Sequence, residues 1–336
     1  ARQSPVSTRA LLAAGVRRKH TVSAPYSSYI QEIGGLSPPP RLESLLQCLQ
    51  LLGEQLVPPS ERARLHPLVI PLSHNPRTGA LTGLLRWPKP DAGAGPKMSL
   101  PVVTTKRDAK NMVLLAPTAE LFVLRQAATR DALGDADAKA FVDLARAEDP
   151  PLYDAGAVAA ARIGLQRWLI AKAGPFPDLY EQFALMHAQR GDTDAALVTA
   201  DRASAVFGGW GRSLWFASRL YARLGRQQEA REGARLAMEC PLWTLDCSPF
   251  EVSRAAGYKD LAVKNLQTML RALNESDKAQ QSLAPEEKAL FKGQIVMDHV
   301  CVRDDITWDD VIPELAQAYE EGDEELRRVA RFITSR

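Results

Sequence analysis

Two stretches decide the fold: Gly191-Asp-Thr-Asp-Ala-Ala196-Leu-Val-Thr-Ala200-Asp-Arg-Ala203 and Gly225-Arg-Gln-Gln-Glu-Ala230-Arg-Glu-Gly-Ala234-Arg-Leu-Ala237. They superpose at an offset of 34 residues, and the match continues upstream. Tyr180, Phe183, Ala184 and His187 fall on Leu214, Ala217, Ser218 and Tyr221, so the aligned positions are aromatic, apolar or small in both copies. Two antiparallel helices approach closely only where small side chains meet. The glycine supplies the left-handed backbone that ends the first helix of each pair.

A 34-residue period of this kind marks a helical hairpin of tetratricopeptide (TPR) type. One such unit cannot bury its apolar face alone, so units stack and present a ridged surface to partners. Gly257 with Ala262 reads as a decayed third unit, and Pro313 to Gly322 as the first half of another. From Asp135 onward the chain reads as helix after helix, over 136–148, 154–173, 177–208, 211–240, 248–256, 260–274, 285–301 and 307–335.

Upstream of the helices the period changes. Leu42, Leu45, Leu46, Leu49 and Leu52 lie on one helix face, ended by Gly53 or fraying to Val57 before Pro58-Pro59. Leu68–Leu72 and Leu81–Trp87 flank a turn-rich Ser73–Gly79 and predict a hairpin, with Pro71 marking an edge or a bulge. Extended runs at Leu100–Thr104 and Met112–Leu115 complete a small, mostly antiparallel sheet, covered by the Leu42 helix and a second at 118–132. The expected fold is α+β: a basic arm or processed targeting remnant at 1–40, an α+β domain at 41–134 and a TPR-like all-α repeat domain at 135–336.

Charge narrows the function. Of 42 basic residues, Arg2, Arg9, Arg17, Arg18 and Lys19 precede the first acidic residue, Glu32, which leaves 37 against 40 acidic ones. Such a balance disfavours general nucleic-acid binding, which depends on clustered cations. The basic start and the opening Ala1 fit an organellar import history. Cys48, Cys240, Cys247 and Cys301 lack metal or redox spacing and read as buried or partly buried thiols in a reducing compartment, and the five histidines are scattered, so no metal or cofactor is expected. No nucleophile elbow, phosphate loop, dinucleotide fingerprint or zinc-protease pair is present, which makes an enzyme the weakest reading. The best catalytic candidate is an assembly of His66, His74 and Arg77. A binding protein is expected instead. In the repeat register the groove-lining positions of the second unit hold Arg212, Trp215, Arg219 and Arg223, which suit carboxylates or an acidic peptide. The first unit places Asp178, Glu181, Leu185 and Gln189 there. Trp243, in Cys240-Pro-Leu-Trp-Thr-Leu-Asp-Cys247, is either part of a buried linker or a further partner contact.

Several segments, taken in order, carry a resemblance: His66-Pro-Leu-Val-Ile-Pro-Leu-Ser, Leu84-Leu-Arg-Trp-Pro88, Leu100-Pro-Val-Val103, Phe207-Gly-Gly-Trp-Gly-Arg212, Gly225 to Ala237, and Pro241-Leu-Trp-Thr-Leu-Asp-Cys247. In this colinear combination the chain resembles the plant and algal family called protein IN CHLOROPLAST ATPASE BIOGENESIS, from about residue 28 to 330. The resemblance implies a non-catalytic protein that binds ATP synthase subunits, as an assembly factor or a permanently bound accessory subunit. It would act in the chloroplast stroma or the mitochondrial matrix, free or peripheral on the inner or thylakoid membrane, with no membrane span. The arm at 1–31 and the loop at 89–99 depart from the family pattern. The alternative in another class is an organellar RNA-binding helical-repeat protein.

Overall fold

The structure is a computed structural model describing residues 22–88, 98, 100–258 and 283–336. Its N-terminal part is a five-stranded antiparallel meander in the order β1-β2-β3-β4-β5. The strands are β1 (Gln55–Leu56), β2 (Val69–His74), β3 (Leu81–Leu85), β4 (Val102–Thr105) and β5 (Val113–Ala116). The register slips between Pro71 and Ser73, which is the bulge that Pro71 predicts. Although β2 has a neighbour on each side, β1 pairs only with Ser73 and His74. Pro71 therefore sits where its missing N–H leaves no ladder bond unmade. The helix before it ends cleanly: α2 (Leu42–Leu51) buries Leu42, Leu45, Leu46 and Leu49, Gly53 turns at φ 80°, and the chain enters β1 instead of fraying.

All five residues of β3, and all of β2 except His74, are buried. An antiparallel sheet with one wet face would alternate, so both faces here are covered. Alongside α2, the sheet is followed by α3 (Ala119–Leu133), capped by the Thr118 side chain accepting from the Leu121 N–H at 3.2 Å, and α4 (Ala138–Ala145). The helix α1 (Ala24–Glu32) docks through Tyr26, whose hydroxyl donates to the Val57 carbonyl at 2.7 Å. The C-terminal helices α12 (Pro285–Cys301), α13 (Ile312–Glu320) and α14 (Glu324–Thr334) fold back onto this layer. The Trp308 indole donates to the Ala109 carbonyl at 2.8 Å, and Arg336 to the Leu65 carbonyl at 2.7 Å. One apolar core thus runs from Tyr26 through the sheet to Ile333.

Between these parts lie α5 (Ala157–Ala161), α6 (Leu165–Trp168) continuing into a π-helical turn (Leu169–Ala173), and then two hairpins. These are α7 (Pro177–Gln189) with α8 (Thr193–Val206), and α9 (Gly211–Arg223) with α10 (Gln227–Glu239). Gly191 and Gly225 turn at φ 80° and 79° in corresponding places. Ala196, Ala200, Ala203, Ala230, Ala234 and Ala237 are all buried. The Ser218 hydroxyl donates to the Ala230 carbonyl at 2.6 Å, so the crossing of α9 and α10 is as close as its small residues allow. A short 3₁₀ turn (Leu242–Thr244) leads to α11 (Pro249–Ala255). The helix expected at 260–274, and with it the third repeat beyond Tyr258, lies outside the described residues.

The 3₁₀ turn is pinned by Asp298 of α12, whose carboxylate accepts from the Leu242 N–H at 2.8 Å. Burial raises that carboxyl to about 7, against hydrogen bonds from Leu242 and Gln294 that pull the other way. The fold therefore keeps a proton that the unfolded chain releases near pH 4, and stability falls as pH rises from about 4 to 7. Asp298→Asn keeps an acceptor for Leu242 without the charge. It should be more stable than the parent at pH 8.5, by roughly 2–4 kcal/mol, with the gain disappearing near pH 4. Denaturant unfolding at both pH values reads this directly, and an equal gain at both would refute the buried-charge account.

Candidate functional site

The groove between α7 and α9 gathers Glu181, Leu185, Phe216, Arg219, Leu220 and Arg223 around a cavity of about 220 Å³. The three arginines expected on this face, Arg212, Arg219 and Arg223, lie along one stripe of α9 with Trp215 between the first two, and their environments differ. Arg212 grips Glu181 with two bonds of 2.8 and 2.9 Å, and lies 3.7 Å from Asp246. The hydrogen bonds to Glu181 raise its pKa further, so this arginine is a fixed internal charge. Arg219 is half exposed, 3.9 Å from Asp246, with its guanidinium 5.5 Å from the centre of the Trp215 ring. Arg223 is exposed and pairs with no carboxylate among the described residues.

The acidic positions of the first hairpin are neutralised in the same way. Asp178 is held by Arg125 of α3 through two bonds of 2.9 and 2.5 Å, which also ties this hairpin to the sheet layer. Glu181 is bound by Arg212. With Asp178 and Glu181 engaged and Asp246 shared between Arg212 and Arg219, the groove presents to solvent the unpaired Arg223 and the exposed, partly compensated Arg219, above an apolar floor of Leu185, Phe216 and Leu220.

The two tryptophans lie inside. Trp215 is 4% exposed and forms the shelf beneath Arg219. Trp243 is 1% exposed, with ring centres 5.2 Å from Trp87, 6.1 Å from Trp210 and 4.5 Å from His66. It walls a separate cavity of about 270 Å³ together with Leu68, Cys240 and Met297. Sequence reading missed Asp246, which orients two of the arginines from the linker that holds Trp243. The linker's lack of turn chemistry is the one local signal that it is used for something else.

The residues considered for catalysis do not converge. His66 is sandwiched between Trp243 and Trp308, each 4.5 Å away, and burial followed by repulsion from Arg336 and Arg62 holds its pKa well below the usual value. His66 lies in the turn that leads into β2, whereas His74 closes the far end of that strand, about 17 Å from Val69, and Arg77 lies in the exposed turn beyond it. The four cysteines are unpaired thiols, three of them buried. Among the described residues, no group of three His, Cys, Asp or Glu side chains could hold a metal ion, and no helix is long and apolar enough to cross a membrane.

Comparison with known proteins follows this architecture. Three consecutive family models match, described as PAB N-terminal over residues 24–172, PAB middle domain over 177–262 and PAB C-terminal domain over 264–336. The chain belongs to the PAB family. The middle model starts at residue 177, where α7 and the first hairpin begin. Among curated proteins, the chain is 31% identical over 317 residues to "Protein IN CHLOROPLAST ATPASE BIOGENESIS, chloroplastic" of Arabidopsis thaliana, covering 93% of this chain and 91% of the relative. No solved structure matches the PAB chain.

Proposed function

We propose that this PAB-family chain is a non-catalytic organellar factor that binds ATP synthase subunits while the enzyme is assembled. The relative named for chloroplast ATPase biogenesis, alike over nearly the full length of both chains, supplies the process. The groove of α7 and α9 supplies the means, because its own carboxylates are engaged internally while Arg219 and Arg223 are left facing outward. In this reading 135–336 is a TPR-like platform carried by the α+β unit of 41–134 together with α1, and the basic residues Arg2 to Lys19 are the trace of import. Arg219 and Arg223 meet an acidic segment of the partner directly. Arg212 and Trp215 hold the surface in shape, and Trp243 contributes from below.

Tagged protein expressed in chloroplasts should recover ATP synthase subunits, and recovery of none would remove the partner. Arg219→Glu with Arg223→Glu should weaken that recovery about tenfold or more, since each reversal opposes an acidic partner with like charge. The free energy of unfolding should stay within about 0.5 kcal/mol of the parent, because both side chains are exposed. Unchanged recovery would move the contact off this groove.

A further inference from the structure

The opposite side of α7 carries a second groove with a different character. It runs between the segment at 163–170 and the first hairpin, through two adjoining cavities of about 360 and 270 Å³ that share Arg167 and Phe183. Its floor is apolar: Ile163, Ile170, Phe183, Met186 and Val198. Two of these are more exposed than a folded chain normally leaves such side chains, Ile163 at 42% and Val198 at 66%. Its rim is basic, with Arg167, Arg190 and Arg202 all exposed. None of the three arginines pairs with a carboxylate among the described residues, and neither cavity has an acidic residue in its wall. Asp192 approaches the groove, 3.7 Å from His187, and leaves the arginines unpaired.

We infer that this groove is a second docking site, shaped for an acidic amphipathic helix of a partner protein. Phe183 and Met186 are one turn apart on α7, and with Val198 of α8 and Ile163 across the groove they make a strip that an apolar helix face can cover. Arginines on both sides of that strip would meet Glu or Asp flanking the partner's apolar face. The concave shape is wrong for a bilayer, which takes up protruding apolar side chains. Of the rings in the lining, Tyr180 is buried against Phe207 and His187 lies 3.7 Å from the Asp192 carboxylate, so Phe183 alone is left to stack a base, too little for single-stranded nucleic acid binding. The site is independent of the groove between α7 and α9, so the first hairpin would hold one binding surface on each side.

The test uses the full chain and a fluorescent synthetic peptide of about 18 residues, five helical turns, with Leu at helical spacing flanked by Glu. Controls are a scrambled peptide of identical composition, a version with Lys for Glu, anionic phosphatidylglycerol vesicles and a single-stranded RNA. The amphipathic acidic peptide should bind measurably by anisotropy, and the scrambled and Lys versions about tenfold more weakly or not at all. Arg167→Glu, Arg190→Glu and Arg202→Glu together should weaken it by about tenfold or more. Val198→Glu alone, which leaves all three arginines in place, should weaken it as well. Arg219→Glu with Arg223→Glu should leave this affinity within about twofold, so failure here is distinguishable from failure of the first groove. Equal binding of the scrambled peptide, indifference to both the triple variant and Val198→Glu, or binding of vesicles or RNA in place of the peptide would overturn the assignment.

Discussion

Arg62→Ala is expected to cost the whole chain about 3–5 kcal/mol, more than any surface change considered for this protein. Arg62 is fully buried in the turn before β2, and it joins chain segments some 270 residues apart. Its guanidinium donates to the Phe332 carbonyl at 2.6 Å, the Val69 carbonyl at 3.3 Å, the Tyr29 hydroxyl at 3.2 Å and the Pro67 carbonyl, and lies 3.7 Å from the centre of the Phe332 ring. Burial lowers its pKa to about 10, so holding the charge inside costs roughly 3 kcal/mol that the substitution relieves. The Val69 and Pro67 carbonyls, left without a donor, cost about 1–3 kcal/mol each, the Phe332 carbonyl keeps only the Ser335 hydroxyl at 2.9 Å, and the vacated volume adds to that, so the loss outweighs the relief. Arg62→Lys keeps the charge but not the fork, and should lose about half as much. Denaturant unfolding followed by tryptophan fluorescence measures both. A loss under about 1 kcal/mol for Ala would mean that the clamp between the sheet and α14 is not what holds the two ends together.

That clamp also shows where sequence reading stops. The hairpins were legible because their physics is local: a glycine that must turn left-handed at 191 and 225, and alanines wherever helices touch. The strands were legible from period and turn residues, and even the defect at Pro71 followed from its missing N–H. Shorter features gave no such signal. The strand β1 has two residues, and α1 lies in what reads as a basic arm, held by the Tyr26 hydroxyl, the buried Ile30 and the contacts of Tyr29 with Arg62 and Phe332. The helix expected over 154–173 breaks into α5, α6 and a π-helical turn because Gly164 interrupts it at φ 79°. The one expected over 307–335 divides at Gly322, where the Asp323 side chain accepts from the Leu326 N–H and starts α14 afresh.

The candidate site divides along the same line. The arginines of α9 are visible as a helical stripe, but their availability is a tertiary property. Whether Arg212 is free depends on Glu181 in another helix and Asp246 in a linker, and whether Asp178 opposes a partner depends on Arg125. The fold-back of α12–α14 onto the sheet depends on contacts such as Lys110 with Ile306 and Trp308 with Ala109, separated by nearly 200 residues. No periodicity encodes these.

Trp243→Ala is the second large effect, an expected loss of about 3–5 kcal/mol. Trp243 lies where the three family segments meet: Trp87 comes from the first, Trp210 from the second along with Trp243 itself, and the wall of the adjoining cavity includes Met297 from the third. Its backbone carbonyl accepts from the Met112 N–H at 2.9 Å, so removing the ring undermines the start of β5 as well. A direct partner contact would behave differently, losing affinity with an unchanged unfolding midpoint. The expectation here is a lowered midpoint, with ATP synthase recovery retained by the folded fraction at low temperature. Trp243→Phe should lose about half as much, since it keeps an aromatic face toward Trp87. His66 supplies an internal check. Its low pKa means that the parent protein is destabilised as pH falls below about 6.5, because the unfolded chain then takes up a proton that the fold refuses. Removing the indole admits water to His66 and lets its pKa rise, so the stability gap between parent and variant should narrow on acidification below pH 6.5. A gap that stays constant across that range would show that Trp243 is not what keeps His66 dry, and an unchanged midpoint at neutral pH would return Trp243 to the list of partner contacts.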